Sequence, residues 1–224
     1  MAESKDKITV AYWASQGLAQ ATRFLLIYHK IDFEDKQYKL DQASDWFGRD
    51  KPTLNTDFPN LPYIQDGDVV ITENLAVLQY AATKTGNKDL LGKSTFDTVK
   101  ICQLYSFIGD MRTALVDLAK NKEYEKVRDE VLNSKIAPFL TKLSKNLGEN
   151  EYLLGYLTWV DFWIFTQLDV VRRMNPEFLA KWPNLEKYHA RFYNNEEIKA
   201  YRSSDKYLRF WGPPQILVWT GQEN

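Results

Sequence analysis

Cysteine is nearly absent from this chain. Its 224 residues hold only Cys102, which excludes an intramolecular disulfide and fits a reducing compartment. Histidine is almost as scarce: His29 and His189 stand in separate helical segments with no ligand spacing, so both read as surface or packing residues and no metal site is expected. No apolar run approaches the ~20 residues of a membrane span. The lead-in Met1–Lys7 is polar up to the first strand, without the apolar segment of a secretory signal. Neither sign of charge dominates, with 29 basic against 30 acidic residues, so no basic field recruits nucleic acid or anionic membrane. There is no internal repeat, no low-complexity tract, no Gly-x-Ser-x-Gly elbow and no dinucleotide fingerprint. What is present is an aromatic-rich globular chain, cytosolic by default and long enough to bury a full core.

Ile8–Trp13 is rich in β-branched and aromatic residues and predicts a strand. Gly17 turns the chain into a helix over Leu18–Lys30, where Leu18, Ala21, Leu25 and Tyr28 recur at helical spacing. A second strand is expected around Phe33–Tyr38, and a short helix with its following loop over Asp41–Lys51, ended by Pro52. Asp66-Gly67 then closes a hairpin whose second strand, Val69–Ile71, leads into a helix over Glu73–Lys84. The order β-α-β-α-β-β-α gives a small mixed sheet with packed helices, the order of a thioredoxin-like fold.

Within it, the stretch Asp57-Phe58-Pro59-Asn60-Leu61-Pro62-Tyr63 gathers groups that suit a peptide. Pro62 can carry a cis bond. Leu61 before it is biased to an extended conformation and could pair with a ligand strand. The helix start at Thr72-Glu73-Asn74 offers free N–H groups to a carboxylate. An ordinary hairpin with a structural proline accounts for the same residues. Tyr12 ends the first strand, where ligands of such sheets bind. A phenol stays protonated at neutral pH and could donate to a thiol sulfur, favouring the thiolate. One charge-assisted hydrogen bond of roughly 1.5–3 kcal/mol would lower a thiol pKa by one to about two units. A tyrosine simply packed at a strand end is the alternative.

Residues 85–94 break the pattern and read as a linker between residues 1–84 and an all-helical domain over 95–224. The linker ends in Gly92-Lys93-Ser94, but five residues rather than four separate Gly86 from Gly92, and no strand precedes it, so it is not a phosphate loop. Thr95–Lys120 predicts a long amphipathic helix with Val99, Cys102, Tyr105, Ile108 and Leu115 among its apolar positions, which would make Cys102 an inert core residue. Glu123–Leu147 predicts a helix kinked at Pro138. Thr158-Trp159-Val160-Asp161 has capping-box form, with Leu157 and Phe162 placed as a hydrophobic staple, opening a helix over Trp159–Arg173. Short helices follow at Asn184–Tyr193 and Glu196–Tyr201, and the tail Tyr207–Trp219 reads as irregular chain that packs back on the body.

Tyr12-Trp13, Gly17-Leu18-Ala19, Arg23, the Asp57–Tyr63 run, Thr158-x-x-Asp161-Phe162 and the tail from Ser203 to Trp219 together resemble the cytosolic glutathione S-transferases, in the pattern of class mu. The resemblance covers nearly the whole chain. It implies a thioredoxin-like N-terminal domain, an all-α C-terminal domain, and conjugation of reduced glutathione, as co-substrate and without a permanently bound cofactor or metal, to hydrophobic electrophiles. Tyr12 would stabilise the thiolate. Leu61, beside a cis Pro62 and Asn60, would bond the cysteinyl backbone. Trp13, Leu18, Trp46 and Lys51 would hold the glycyl end, and Glu73 and Asn74 the γ-glutamyl group. Asp110 would reach that group from the partner subunit of a homodimer, and Phe58 would insert into the partner.

The chain departs from the class pattern at Glu73-Asn74, where the class has Gln-Ser, and at Lys120, which takes the place of a tyrosine in the electrophile site. Two other readings use the same scaffold: a glutathione-transferase-like binding or structural protein, and a glutathione-dependent isomerase or peroxidase.

Overall fold

A computed structural model describes residues 7–222, so residues 1–6 of the polar lead-in lie outside it. The chain runs through β1 (Ile8–Trp13), α1 (Gln20–Tyr28), β2 (Phe33–Tyr38), β3 (Tyr63–Asp66), β4 (Val69–Thr72) and α2 (Asn74–Thr83). It continues with α3 (Thr95–Lys120), α4 (Tyr124–Val131), α5 (Ala137–Leu147), α6 (Trp159–Met174), α7 (Pro183–Tyr193) and α8 (Glu196–Arg202).

Among the described residues the strands form one sheet in the order β2-β1-β3-β4. β1 is parallel to β2, with α1 as the crossover, and antiparallel to β3, while the tight turn makes β3 and β4 antiparallel. Alternation along β1 separates two packed faces. Val10 joins the large core shared with the helices, whereas Ala11 joins a smaller cluster of Tyr38, Trp46, Leu61 and Tyr63. The two halves of the chain share the large core. Phe24 of α1 lies 5.2 Å from Phe165 of α6, and Tyr28 lies 5.3 Å from Phe162. Helix α6 is buried from Trp159 to Val171, as a helix at the centre of a domain must be.

The capping box is formed. Asp161 is fully buried, and its carboxylate accepts from the Thr158 backbone N–H and hydroxyl, both at 2.8 Å, and from the Tyr188 hydroxyl at 2.8 Å. The tail is irregular and folds back, as expected. Gln16 and Gly17 donate backbone hydrogen bonds to Phe210 and Trp211, and Val218 and Trp219 donate to the Ala119 carbonyl near the end of α3.

Four expectations are corrected. Residues 41–51 form no α-helix. A 3-10 turn (Leu40–Gln42), a π turn (Asp45–Asp50) and a second 3-10 turn (Lys51–Thr53) follow one another. Pro52 sits inside the last, at a first-turn position where its missing N–H costs nothing. The expected kink at Pro138 is a division into α4 and α5 across a π turn, Leu132–Ile136, because Pro138 cannot donate to the carbonyl four residues back and its ring crowds it. On α3, Val99 is 60% exposed and Cys102 only half-buried, while Ile101, Ile108, Met111 and Leu115 face the core. Steps of three residues fall about 60° short of a full turn, so nine residues carry Val99 to the side opposite Ile108. Finally, His189 has a partner: its Nε2 lies 2.9 Å from Asp169 Oδ1, both side chains buried.

Replacing Asp161 with alanine takes the carboxylate acceptor from the Thr158 N–H and hydroxyl and from the Leu153 N–H, while the Tyr188 hydroxyl keeps the residue-161 backbone carbonyl at 3.1 Å. At about 1–3 kcal/mol for each orphaned group, Asp161→Ala is expected to lower stability by about 3 kcal/mol in urea denaturation. A loss below about 1 kcal/mol would remove the capping box as the anchor of α6.

Candidate active site

The sheet topology brings distant stretches to one end. Ala11 pairs with Tyr63 and Tyr63 with Thr72, so the end of β1, the entrance to β3 and the exit of β4 lie side by side. Tyr12 and Trp13, the Asn60-Leu61-Pro62 approach and the Glu73-Asn74 start of α2 therefore sit around that end. The Leu61–Pro62 peptide bond is cis. These were separate stretches in the sequence, and strand pairing alone assembles them.

Tyr12 lines a cleft of about 240 Å3 between the sheet domain, α3 and the tail, with Trp13, Arg112, Lys120 and Trp211 also in its wall. Gly17 determines where the Tyr12 ring lies. A Cβ built there would fall 2.4 Å from Tyr12 Cε1 and 2.9 Å from the hydroxyl, and Gly17 has a φ of +43°. The loop carrying Gly17 is held from below by Arg23, which donates to the carbonyls of Ser15 and Gln16 and pairs with Asp35 at 2.9 Å. Gln16 is bound in turn by Arg173 of α6 and donates to Tyr207 of the tail. The Tyr12 hydroxyl makes no hydrogen bond among the described residues, so its proton is available to whatever enters the cleft.

At the entrance to β3 the polar groups are engaged with one another. The Asn60 side chain accepts from the Leu61 N–H at 2.9 Å and donates to Glu73 Oε1 at 3.0 Å. The Leu61 N–H, expected to serve a ligand, is thus covered by its neighbour. Glu73 is the N-cap of α2 and holds a φ of +68°, a left-handed conformation costly for a residue other than glycine. Asn74 is buried, and its amide donates to the Tyr105 hydroxyl of α3 at 2.9 Å while its Oδ1 stays unpaired. The side chain expected to hold the γ-glutamyl group is turned instead toward α3.

Trp46 and Lys51 arrive on the irregular segment after β2. Trp46 is buried against Tyr38 and Tyr63, with ring centroids 5.4 Å and 6.1 Å away. Asp50 fastens this segment to the sheet. Its carboxylate accepts from Arg49 Nε at 2.7 Å, pairs with Lys36 at 2.8 Å and accepts from the Tyr38 hydroxyl at 2.6 Å. Lys51 has no carboxylate partner among the described residues; its ammonium lies 5.8 Å from the centre of the Phe47 ring. Trp13 packs edge-on to Tyr38 and against Phe47, and Leu18 against the large core. Asp110 and Phe58 are exposed, on α3 and before β3 respectively, away from the cleft lining.

Arg112 and Trp211 are among the cleft residues that the sequence does not single out for the site. Arg112 lies on the inward face of α3 and Trp211 on the returning tail. The signal for Arg112 was a charge among Ile108, Met111 and Leu115, on the side of the helix that packs.

The Asp50 carboxyl is held well below the usual range, first by Arg49 and then, against the opposing effect of burial, by Lys36 and Tyr38. The folded chain therefore binds fewer protons here than the unfolded chain. This support is complete above the unfolded Asp pKa of about 3.9 and is lost as pH falls toward the lowered folded value. Urea midpoints measured from pH 6 to pH 2 are expected to fall less steeply below about pH 4 in Asp50→Asn than in the wild type. Parallel curves would show that Asp50 contributes nothing to acid sensitivity.

Two family descriptions match the chain: Glutathione S-transferase, N-terminal domain, over residues 8–83, and Glutathione S-transferase, C-terminal domain, over residues 109–205. The Fasciola hepatica protein named Glutathione S-transferase class-mu 26 kDa isozyme 51 is 32% identical over 203 residues, 90% of each chain. Glutathione S-transferase Mu 1 of Oryctolagus cuniculus is 33% identical over 220 residues, covering 96% of this chain and 99% of the rabbit protein. The solved Pi-class glutathione S-transferase of Onchocerca volvulus superposes with a TM-score of 0.80 at 24% identity, over 97% of this chain and all of that one, which shows the shared fold. The sheet and the helical half are those of this family, and the chain belongs to the glutathione S-transferases.

Proposed function

We propose that this protein transfers the thiolate of reduced glutathione to hydrophobic electrophiles, in the manner of a detoxifying enzyme. The observation that carries the reading is the unpartnered Tyr12 hydroxyl, set over Gly17 in a cleft at the sheet end beside Pro62. Bound glutathione gives up its thiol proton to solvent, and the Tyr12 O–H donates to the resulting thiolate. The thiolate attacks the electrophile, forming the carbon–sulfur bond as the leaving group departs or as the adjacent double bond takes up a proton. Glutathione occupies the sheet side, residues 1–84, and the electrophile the helical side, residues 95–224.

The Leu61 carbonyl suits the cysteinyl N–H, and its own N–H becomes available once Asn60 turns aside. Trp13, Leu18, Trp46 and the uncommitted Lys51 suit the glycyl end. Glu73 accepts from the γ-glutamyl ammonium, while the α2 start supplies backbone donors to its carboxylate. Asn74, tied to Tyr105, supports this end from behind rather than by side-chain contact.

Phe58 is 73% exposed, and Phe96 67% exposed near the start of α3. These and Val99 are exposed apolar side chains that suit an isologous homodimer, in which Asp110 of each subunit reaches the other's γ-glutamyl site. The single cysteine suits a cytosolic enzyme, and among the described residues no helix is long and apolar enough to cross a membrane.

Turnover of glutathione with an activated aryl chloride at pH 7 tests the chemistry. Tyr12→Phe is expected to lower kcat/KM for the electrophile about 10- to 100-fold, with glutathione binding nearly unchanged; undiminished turnover would remove Tyr12 from the reaction. For the assembly, sedimentation of the wild type is expected to give a dimer, and Phe58→Ser to raise its dissociation constant at least tenfold. A monomeric wild type would contradict the isologous pairing.

A further inference from the structure

The cleft wall opposite the sheet carries positive charge without negative charge. Arg112, Val116 and Lys120 follow one another at four-residue intervals along α3 and all line it, forming a single stripe. Eight residues of helix span about 12 Å, so Arg112 lies deep beside Tyr12 and Lys120 stands at the exposed rim. Among the described residues no aspartate or glutamate lines the cleft, whose remaining wall includes Leu40, Trp211 and Ile216.

Arg112 is held by two indoles, its guanidinium carbon 5.4 Å from the Trp211 ring and 5.9 Å from the Trp163 ring. Its Nε is buried and unpaired, and among the described residues no carboxylate approaches its guanidinium. Burial pushes its pKa down, and the nearby Tyr12 and Tyr105 pull it back up. A cation enclosed without a counter-charge is costly. A protein surface that merely needed filling there would be served by methionine or leucine. Lys120 likewise makes no ion pair among the described residues.

From this stripe we infer that the preferred electrophile has an apolar body and carries an anionic group, held by Arg112 and Lys120 while the reactive carbon faces the thiolate. The inference rests on the transferase reading for its chemistry. It also predicts binding that can be measured without turnover.

Two matched probes test it: 4-chloro-3,5-dinitrobenzoate and the corresponding benzamide. In each, the thiolate forms a bond to the chlorine-bearing carbon and chloride leaves with the bonding pair. Rates are normalised to the uncatalysed reaction with glutathione. The wild type is expected to favour the benzoate by about tenfold in kcat/KM, the discrimination of one charge contact worth ~1.4 kcal/mol. This preference should shrink with rising salt.

Lys120→Met is expected to reduce the preference about threefold, read as the ratio of the two normalised rates within each protein, and Lys120→Glu to reverse it. Arg112→Met should act in the same direction. If that variant fails to fold, the two exposed-site substitutions still decide the matter. Equal rates for the two probes in the wild type, or equal losses for both in the variants, would overturn the inference.

Calorimetric binding of the unreactive 3,5-dinitrobenzoate against 3,5-dinitrobenzamide separates the two claims. Tighter, salt-sensitive benzoate binding without turnover of either chloride would sustain the charge selectivity and sink the transferase reading. Turnover of both chlorides with no binding preference would do the reverse.

Discussion

Everything functional in this molecule depends on the register of β3. Because Tyr63 pairs with Ala11 on one side and Thr72 on the other, the end of the first strand and the start of the second helix meet beside Pro62. A slip of one residue would turn Tyr63 from the Trp46 cluster to the helical core and expose the opposite set of side chains. The register is held by unlike faces: Ile64 is buried in the large core and Tyr63 in the aromatic cluster with Trp46 and Tyr38. The site is therefore a consequence of sheet packing, and its residues need no sequence proximity.

The helical half completes the cleft and clamps it. The tail carries Trp211 back over Arg112, takes hydrogen bonds from Gln16 and Gly17, and is fastened by Val218 and Trp219 to the end of α3. Gln16 meets Arg173 of α6 in the same region. The loop that places Tyr12 is thus pinned by α1, by α6 and by the tail. Asn74 bonded to Tyr105 adds a second link, from the start of α2 to α3. The proposed hydrogen bond from Tyr12 to a thiolate requires positioning within a few tenths of an ångström, and these links restrain the loop that carries it.

The strands were legible because β-branched and aromatic residues cluster between turn signals, and α6 because a capping box announces it. The Asp57–Tyr63 run and Tyr12-Trp13 carried the family likeness together with Gly17-Leu18-Ala19, Arg23, the Thr158–Phe162 motif and the tail. Other features depend on contacts that spacing does not encode. Val99 and Cys102 were assigned to the core by steps of three, which drift around a helix of 26 residues. Residues 40–53 have apolar spacing too sparse to separate an α-helix from linked 3-10 and π turns, and it is Asp50, bonded to Lys36 and Tyr38 of β2, that fastens them. Arg112 looked like one more charge on an amphipathic helix until the tail closed over it. The Asn74–Tyr105 contact joins residues 31 positions apart and redirects a side chain whose sequence context pointed to a ligand.

The central claim is that Tyr12 lowers the pKa of a glutathione thiol bound at this sheet end. Ultraviolet difference titration of the complex measures it directly, since the thiolate absorbs and the thiol does not. The account predicts thiolate absorbance in the wild type with a midpoint near neutral pH, one to two units below a free thiol of pKa about 8.5, and a midpoint returned close to that value in Tyr12→Phe. Saturating glutathione with a wild-type midpoint at the free-thiol value, or identical curves for the two proteins, would contradict it.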